Sequence, residues 1–154
     1  MMQITFLGTG TSTGIPQIGC TCPVCTSKDP HDNRLRTSAV VTVGGKNILI
    51  DCGPDFRQQM LRAHLGRIDA VLITHIHYDH TGGIDDLRPF GGSHTLPIYL
   101  EHPVAEGIRT RLPYCFGDHL YPGVPNIMLQ EIGVEPFSIE GIEITPIRVM
   151  HYKL

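Results

Sequence analysis

Apolar positions along the chain come in short blocks of four to six residues, broken by glycine, proline and polar clusters. Gln3 to Leu7 reads as a first strand. Ser38 to Val43 and Asn47 to Asp51 are β-branched and aliphatic runs joined across Gly44-Gly45, a hairpin signal. Pro54 can open a helix, and Phe56, Met60 and Leu61 lie at helical spacing within Asp55 to His64. Ala70 to Ile73 is a fully apolar strand, Gly83 to Leu87 a short helix, Pro97 to Leu100 a strand and Pro103 to Arg111 a further helix. Residues 113–126 are rich in proline and glycine and read as loop. Ile127 to Ile132 resumes strand, and Phe137 to Val149 reads as a hairpin turning at Glu140-Gly141. Helices alternating with groups of strands predict an α/β layered domain over residues 1–154.

The polar run that follows Ala70 to Ile73 changes the picture. Thr74-His75-Ile76-His77-Tyr78-Asp79-His80 places three histidines and a carboxylate at the carboxyl end of a buried strand. Alternate residues on extended backbone project to one side, and imidazole with carboxylate is the donor set of zinc and manganese. The hexad therefore predicts a metal site. His151, after Ile147 to Met150 read as a strand, is the right residue type to bring a third imidazole to His75 and His77; a frayed terminus is the bland alternative. Asp51 closes its strand and can hold the histidine loop by accepting N–H bonds. Cys20-Thr21-Cys22-Pro23-Val24-Cys25 is a C-x-C-x-x-C cluster that predicts a structural zinc, with His31 or a histidine distant in sequence as fourth ligand.

Other features carry weaker chemistry. Gly8, Gly10 and Gly14 form a G-x-G-x-x-x-G loop, one residue too long for a dinucleotide fingerprint and without the lysine of a P-loop. Arg34 and Arg36 could receive a phosphate or simply anchor the long loop. His94 and His119 lie in loops that could reach the histidine site, and Cys52 and Cys115 read as buried thiols. A formal net charge of -3 argues against a dedicated nucleic-acid surface. There is no apolar run of the roughly 18–20 residues that span a bilayer. Five cysteines, three of them clustered, suit a reducing cytoplasm better than a disulfide framework.

The histidine hexad, with Leu49-Ile50-Asp51-Cys52-Gly53 before it, resembles the metallo-β-lactamase superfamily of binuclear metallohydrolases. The opening Phe6-Leu7-Gly8-Thr9-Gly10 and the cysteine cluster resemble the branch that contains the phosphoribosyl cyclic phosphate phosphodiesterases of the carbon–phosphorus lyase pathway, with ribonuclease Z more distant. The resemblance implies an αββα sandwich of which this chain is the N-terminal part. Roughly 80–100 further residues would complete such a domain. It implies His75, His77 and His151 as ligands of one divalent ion (zinc or manganese), and Asp79 and His80 as ligands of a second. Asp79 would also orient the proton of the attacking water. Cys20, Cys22 and Cys25 would hold a separate zinc, whose fourth ligand in that family is a histidine near the C-terminus. Members also use a later bridging aspartate, for which Asp85 or Asp86 has no favourable spacing. The expected activity is hydrolysis of a small phosphodiester, cyclic or open, through water activated by two metals. The alternatives are a ribonuclease Z-like RNA endonuclease, thioester or lactam hydrolysis, and a non-catalytic zinc-binding domain. An incomplete sheet edge would favour pairing as a homodimer.

Overall fold

The computed structural model describes residues 1–92, 94–117 and 120–151; His119 lies outside them. Eight strands are present among these residues: β1 (Met2–Gly8), β2 (Ser38–Val43), β3 (Lys46–Ile50), β4 (Ala70–Leu72), β5 (Leu96–Leu100), β6 (Ile127–Glu131), β7 (Phe137–Ile139) and β8 (Ile142–Ile144). The helices are α1 (Phe56–Ala63), α2 (Tyr78–Thr81) and α3 (His102–Arg111).

Strands β1 to β6 form one sheet in chain order. The pairs β1–β2 and β2–β3 are antiparallel, and β3 to β6 are mutually parallel. The change of sense follows from the connections. Gly44 and Gly45, both at positive φ, close a hairpin between β2 and β3. Longer segments containing α1, α2 or α3 carry the chain back between parallel neighbours.

Side-chain alternation then assigns the two faces. Val40, Leu49, Val71, Ile98 and Leu100 are buried on one face with Phe56 and Met60 of α1 and Val104, Ala105 and Ile108 of α3. Ile48 and Ala70 point the other way, and with Leu72 and Tyr99 they pack against Phe137, Ile139, Ile142 and Ile144 of the β7–β8 hairpin. Tyr99 and Phe137 stack with ring centroids 5.3 Å apart. The result is helix, sheet, sheet: three of the layers of an αββα sandwich.

Three expected elements differ. The Phe137 to Val149 hairpin stops at Ile144, and Ile147 to Met150 has no strand pairing among the described residues. Alternating apolar residues there look like a strand, but a strand also requires a ladder partner, and the small sheet consists of β7 and β8. The helix expected over Gly83 to Leu87 is a 3-10 helix, Ile84–Phe90, with Pro89 inside it.

Candidate metal centre

Because β3 and β4 are parallel, their carboxyl ends reach the same sheet edge, and the candidate chemistry collects there. Asp51 follows β3 and sits at φ 60, a left-handed conformation that aspartate tolerates better than most residues. Its buried carboxylate accepts from the Thr74 amide (2.8 Å), from Thr74 Oγ1 (3.0 and 2.9 Å) and from His80 Nδ1 (2.6 Å). Backbone bonds complete the junction: Cys52 N–H donates to the His80 carbonyl and Gly83 N–H to the Cys52 carbonyl, each at 2.8 Å. A side chain at Gly53 would overlap the Asp79 carbonyl oxygen, so the β3 turn and the histidine loop approach as closely as glycine permits.

On this base the loop turns its imidazoles outward. His75 Nε2 lies 3.0 Å from His77 Nδ1, and His151 Nε2 lies 3.3 Å from the same His77 atom. One donor atom from each of His75, His77 and His151 falls within 4.8 Å of the others. The structure thus brings His151 to His75 and His77 even though its segment is not a strand. The His80 ring stands 4.0 Å from that of His75, and its Nε2 lies 3.2 Å from Asp79 Oδ2. Asp79 and His80 therefore form a pair beside the three imidazoles.

Proton placement follows from the partners. A Thr74 hydroxyl that donates to Asp51 can accept from His75 Nδ1, 3.0 Å away, which leaves Nε2 of His75 with its lone pair. Burial pushes the His75 pKa down, helped by the neighbouring rings of His80 and His77, and so favours the neutral, ligating form. The Asp51 hydrogen bond pushes the His80 pKa up against the opposing effect of burial, and it fixes the Nδ1–H tautomer. Neutral imidazole nitrogens with an adjacent carboxylate are a donor set that fits zinc or manganese.

The cysteine cluster is separate. The sulfur atoms of Cys20, Cys22 and Cys25 lie within 4.8 Å of one another. The Cys25 backbone N–H, followed by the Cys20 and Cys25 thiols, lowers the Cys22 pKa to about 7. Three convergent sulfurs with one disposed to ionise fit a thiophilic ion such as zinc. His31 is not among them: its Nδ1 bonds Asp29 at 2.7 Å.

The remaining candidate residues take structural places. His94 precedes β5, so it lies at the opposite edge of the parallel sheet from the histidine loop. Its carbonyl accepts from Asn126 instead. Arg36 binds Asp55 through its amide and guanidinium (2.8 and 2.9 Å) and the Ser12 carbonyl at 2.8 Å, so it anchors the long loop rather than awaiting a phosphate. Arg34 joins that loop by backbone bonds to Ile15. Asp85 engages Arg88 and the Tyr114 hydroxyl, away from any bridging role. Cys52 and Cys115 are buried thiols as expected. Thr74 and Arg111, both in contact with the histidine loop, had no role assigned from sequence. A hydroxyl next to the hexad was the available signal for Thr74; Arg111 offered none, because its contact spans 35 residues.

Comparison with known proteins places this geometry. A family model described as a beta-lactamase superfamily domain matches residues 46–154. An octanoyltransferase of Porphyromonas gingivalis is 49% identical over 155 residues, which cover 99% of this chain but 32% of that protein. A ribonuclease Z of Bradyrhizobium diazoefficiens is 37% identical over 89 residues, 56% of this chain and 24% of its own length. Among solved structures, a diphosphatase from the PhnP family superposes with TM-score 0.88 at 38% identity, over 98% of this chain and 59% of that one. Zn(2+)-bound PqqB from Methylobacterium extorquens superposes with TM-score 0.74 at 25% identity, over 94% of this chain and 55% of that one. The chain thus spans about a third or less of these curated relatives and somewhat over half of the structures.

Proposed function

Since the chain belongs to the beta-lactamase superfamily, we propose that it carries the metal-binding part of a phosphodiesterase centre acting on a small phosphodiester. One observation carries the reading. Three imidazoles from His75, His77 and His151 converge within 4.8 Å beside the Asp79–His80 pair, although His151 is 74 residues from His77. Likeness to a diphosphatase supports phosphoryl chemistry over other uses of the same fold.

His75, His77 and His151 would hold one divalent ion, and Asp79 with His80 would contribute to a second. Bound there, such ions would supply a water of lowered pKa and neutralise charge on a phosphoryl oxygen. The chain's own residues prepare that site. Asp51 keeps the proton of His80 on Nδ1, leaving Nε2 free, and Thr74 does the same for His75. Asp79, within reach of His80 Nε2, is placed to orient a water proton. The cysteine cluster would hold a structural zinc away from this chemistry. Five free thiols suit a reducing compartment such as the cytoplasm.

The test is divalent-metal-dependent turnover of bis-p-nitrophenyl phosphate by the intact protein. His77→Ala and Asp79→Ala should each abolish it; full activity in both variants refutes the assignment. A second reading, hydrolysis of an acyl ester or thioester, is favoured by the 49% identity to a protein named for acyl transfer. An octanoyl thioester offered in the same assay separates the two: faster metal-dependent release there would replace the phosphodiester reading.

A further inference from the structure

The histidine loop is held from a second side, by α3. Arg111, the last residue of that helix, donates from Nη1 to the Ile76 carbonyl at 2.6 Å and lies 3.3 Å from Thr81 Oγ1. The buried Thr81 hydroxyl in turn donates to the His77 carbonyl at 3.0 Å. Ile76 stands between His75 and His77, so its peptide sets the angle at which the two imidazoles diverge. The Ile76 side chain lies over Gly107, where a Cβ would come within 2.7 Å of both Cγ1 and Cδ1.

Both features need a reason that α3 alone does not give. Glycine in a helix interior weakens the helix relative to alanine. Gly107 does so in the second turn of a ten-residue helix, where the Ile76 side chain needs room. An arginine in the last turn commonly satisfies its own helix's carbonyls. Arg111 reaches instead to a carbonyl 35 positions earlier.

The geometry points to α3 as a brace for the histidine loop, in which Arg111 is a positioning residue that locks the Ile76 peptide and Gly107 is the seat for its side chain. The inference rests on His75, His77 and His151 being metal ligands, and it is independent of which substrate is cleaved. A fixed peptide between two ligands is already in place when an ion arrives; a free one must be ordered by it. Residues that orient ligands in this way typically alter metal affinity about 10–100-fold when removed.

The experiment titrates the metal-free chain with Co2+. Thiolate charge-transfer absorption follows the cysteine site, and hyperfine-shifted imidazole N–H resonances follow the histidine site. Arg111→Ala should weaken Co2+ at the histidines about 10–100-fold and leave the cysteine site unchanged. Arg111→Lys should restore part of the loss through its single ammonium group. Gly107→Ala provides the contrast: it should raise helix stability or leave it level while still weakening the histidine site. Affinity within about twofold of the unaltered chain in both Arg111→Ala and Gly107→Ala overturns the brace. So does a parallel loss at both metal sites, which would signify general unfolding. Absence of histidine resonances in the unaltered chain would remove the ligand assignment itself, whereas failure of phosphodiester turnover would leave these affinities untouched.

Discussion

Replacing Asp51 with asparagine isolates the charge at the junction of β3 and the histidine loop. The substitution keeps side-chain size and the tolerance for φ 60, so backbone strain barely changes. It converts one carboxylate oxygen into an NH2 group. That group cannot face the Thr74 amide, a fellow donor 2.8 Å from Oδ1, and so it must face His80 Nδ1. His80 then has to move its proton to Nε2, the atom proposed as a metal ligand. A charge-assisted hydrogen bond worth about 1.5–3 kcal/mol is exchanged for a neutral one near 1 kcal/mol, a net loss of about 0.5–2 kcal/mol. Asp51→Ala loses the His80 bond outright and adds roughly 1–2 kcal/mol for the left-handed backbone, about 2.5–5 kcal/mol before the Thr74 bonds are counted.

The pH dependence gives a second readout of the same change. Asp51 raises the His80 pKa, so this pair's stabilisation is fully present below the unfolded imidazole value of about 6.5 and is lost as pH rises through the folded value. His75 is shifted the opposite way, chiefly by burial, and destabilises the fold as pH falls. His75 is common to both proteins, so it largely cancels in the difference between them. Urea unfolding of the metal-free chain, followed by circular dichroism across pH 5–8, measures that difference. It should shrink as pH rises above about 6.5. An Asp51→Asn chain within about 0.5 kcal/mol of the original at every pH, with undiminished metal uptake, would refute the role given to Asp51.

Two further outcomes are expected. Gly53→Ala should destabilise by about 2–3 kcal/mol in urea unfolding, because its Cβ overlaps the Asp79 backbone, whereas Gly92→Ala, with open space around it, should stay within about 0.5 kcal/mol; equal effects would contradict the close approach. In metal-free protein, iodoacetamide should label Cys22 with a half-maximal rate near its pKa of about 7, read by mass-spectrometric fragmentation, and zinc should suppress the labelling; a midpoint at the ordinary 9.0 would remove the thiolate assignment.

What the sequence made legible follows the range of the interactions. The strands of the large sheet were readable because each has a local signature: alternation or an apolar run, bounded by turns such as Gly44-Gly45. His75, His77, Asp79 and His80 were readable as a unit because the hexad is contiguous. The open and mistaken readings came where a second element decides. Ile147 to Met150 reads as a strand but lacks a ladder partner among the described residues. Arg36 left phosphate binding and loop anchoring both open, and Asp55, 19 positions later, decides for the anchor. His94 lay in a loop free to reach the site, because loop residues have no visible edge in a sequence, and only the parallel sense of β4 and β5 assigns it to the far one. Arg111 was invisible for the same reason.

The same distinction of range divides the histidine site itself. His75, His77 and His80 are set by bonds that the fold makes anyway: Asp51 to Thr74 and His80, and Cys52 to the His80 carbonyl. His151 arrives on a segment outside any strand, where Arg148 forms an exposed ion pair with Glu101. A pair of that kind contributes about 0–1 kcal/mol, far less than the buried junction beneath the other three rings. Three rings thus rest on buried bonds, and His151 reaches them from a segment paired at the surface. On the proposed function, a divalent ion held by His75, His77 and His151 would tie the segment after β8 to the edge of the large sheet, a link that the Arg148–Glu101 pair alone makes only weakly.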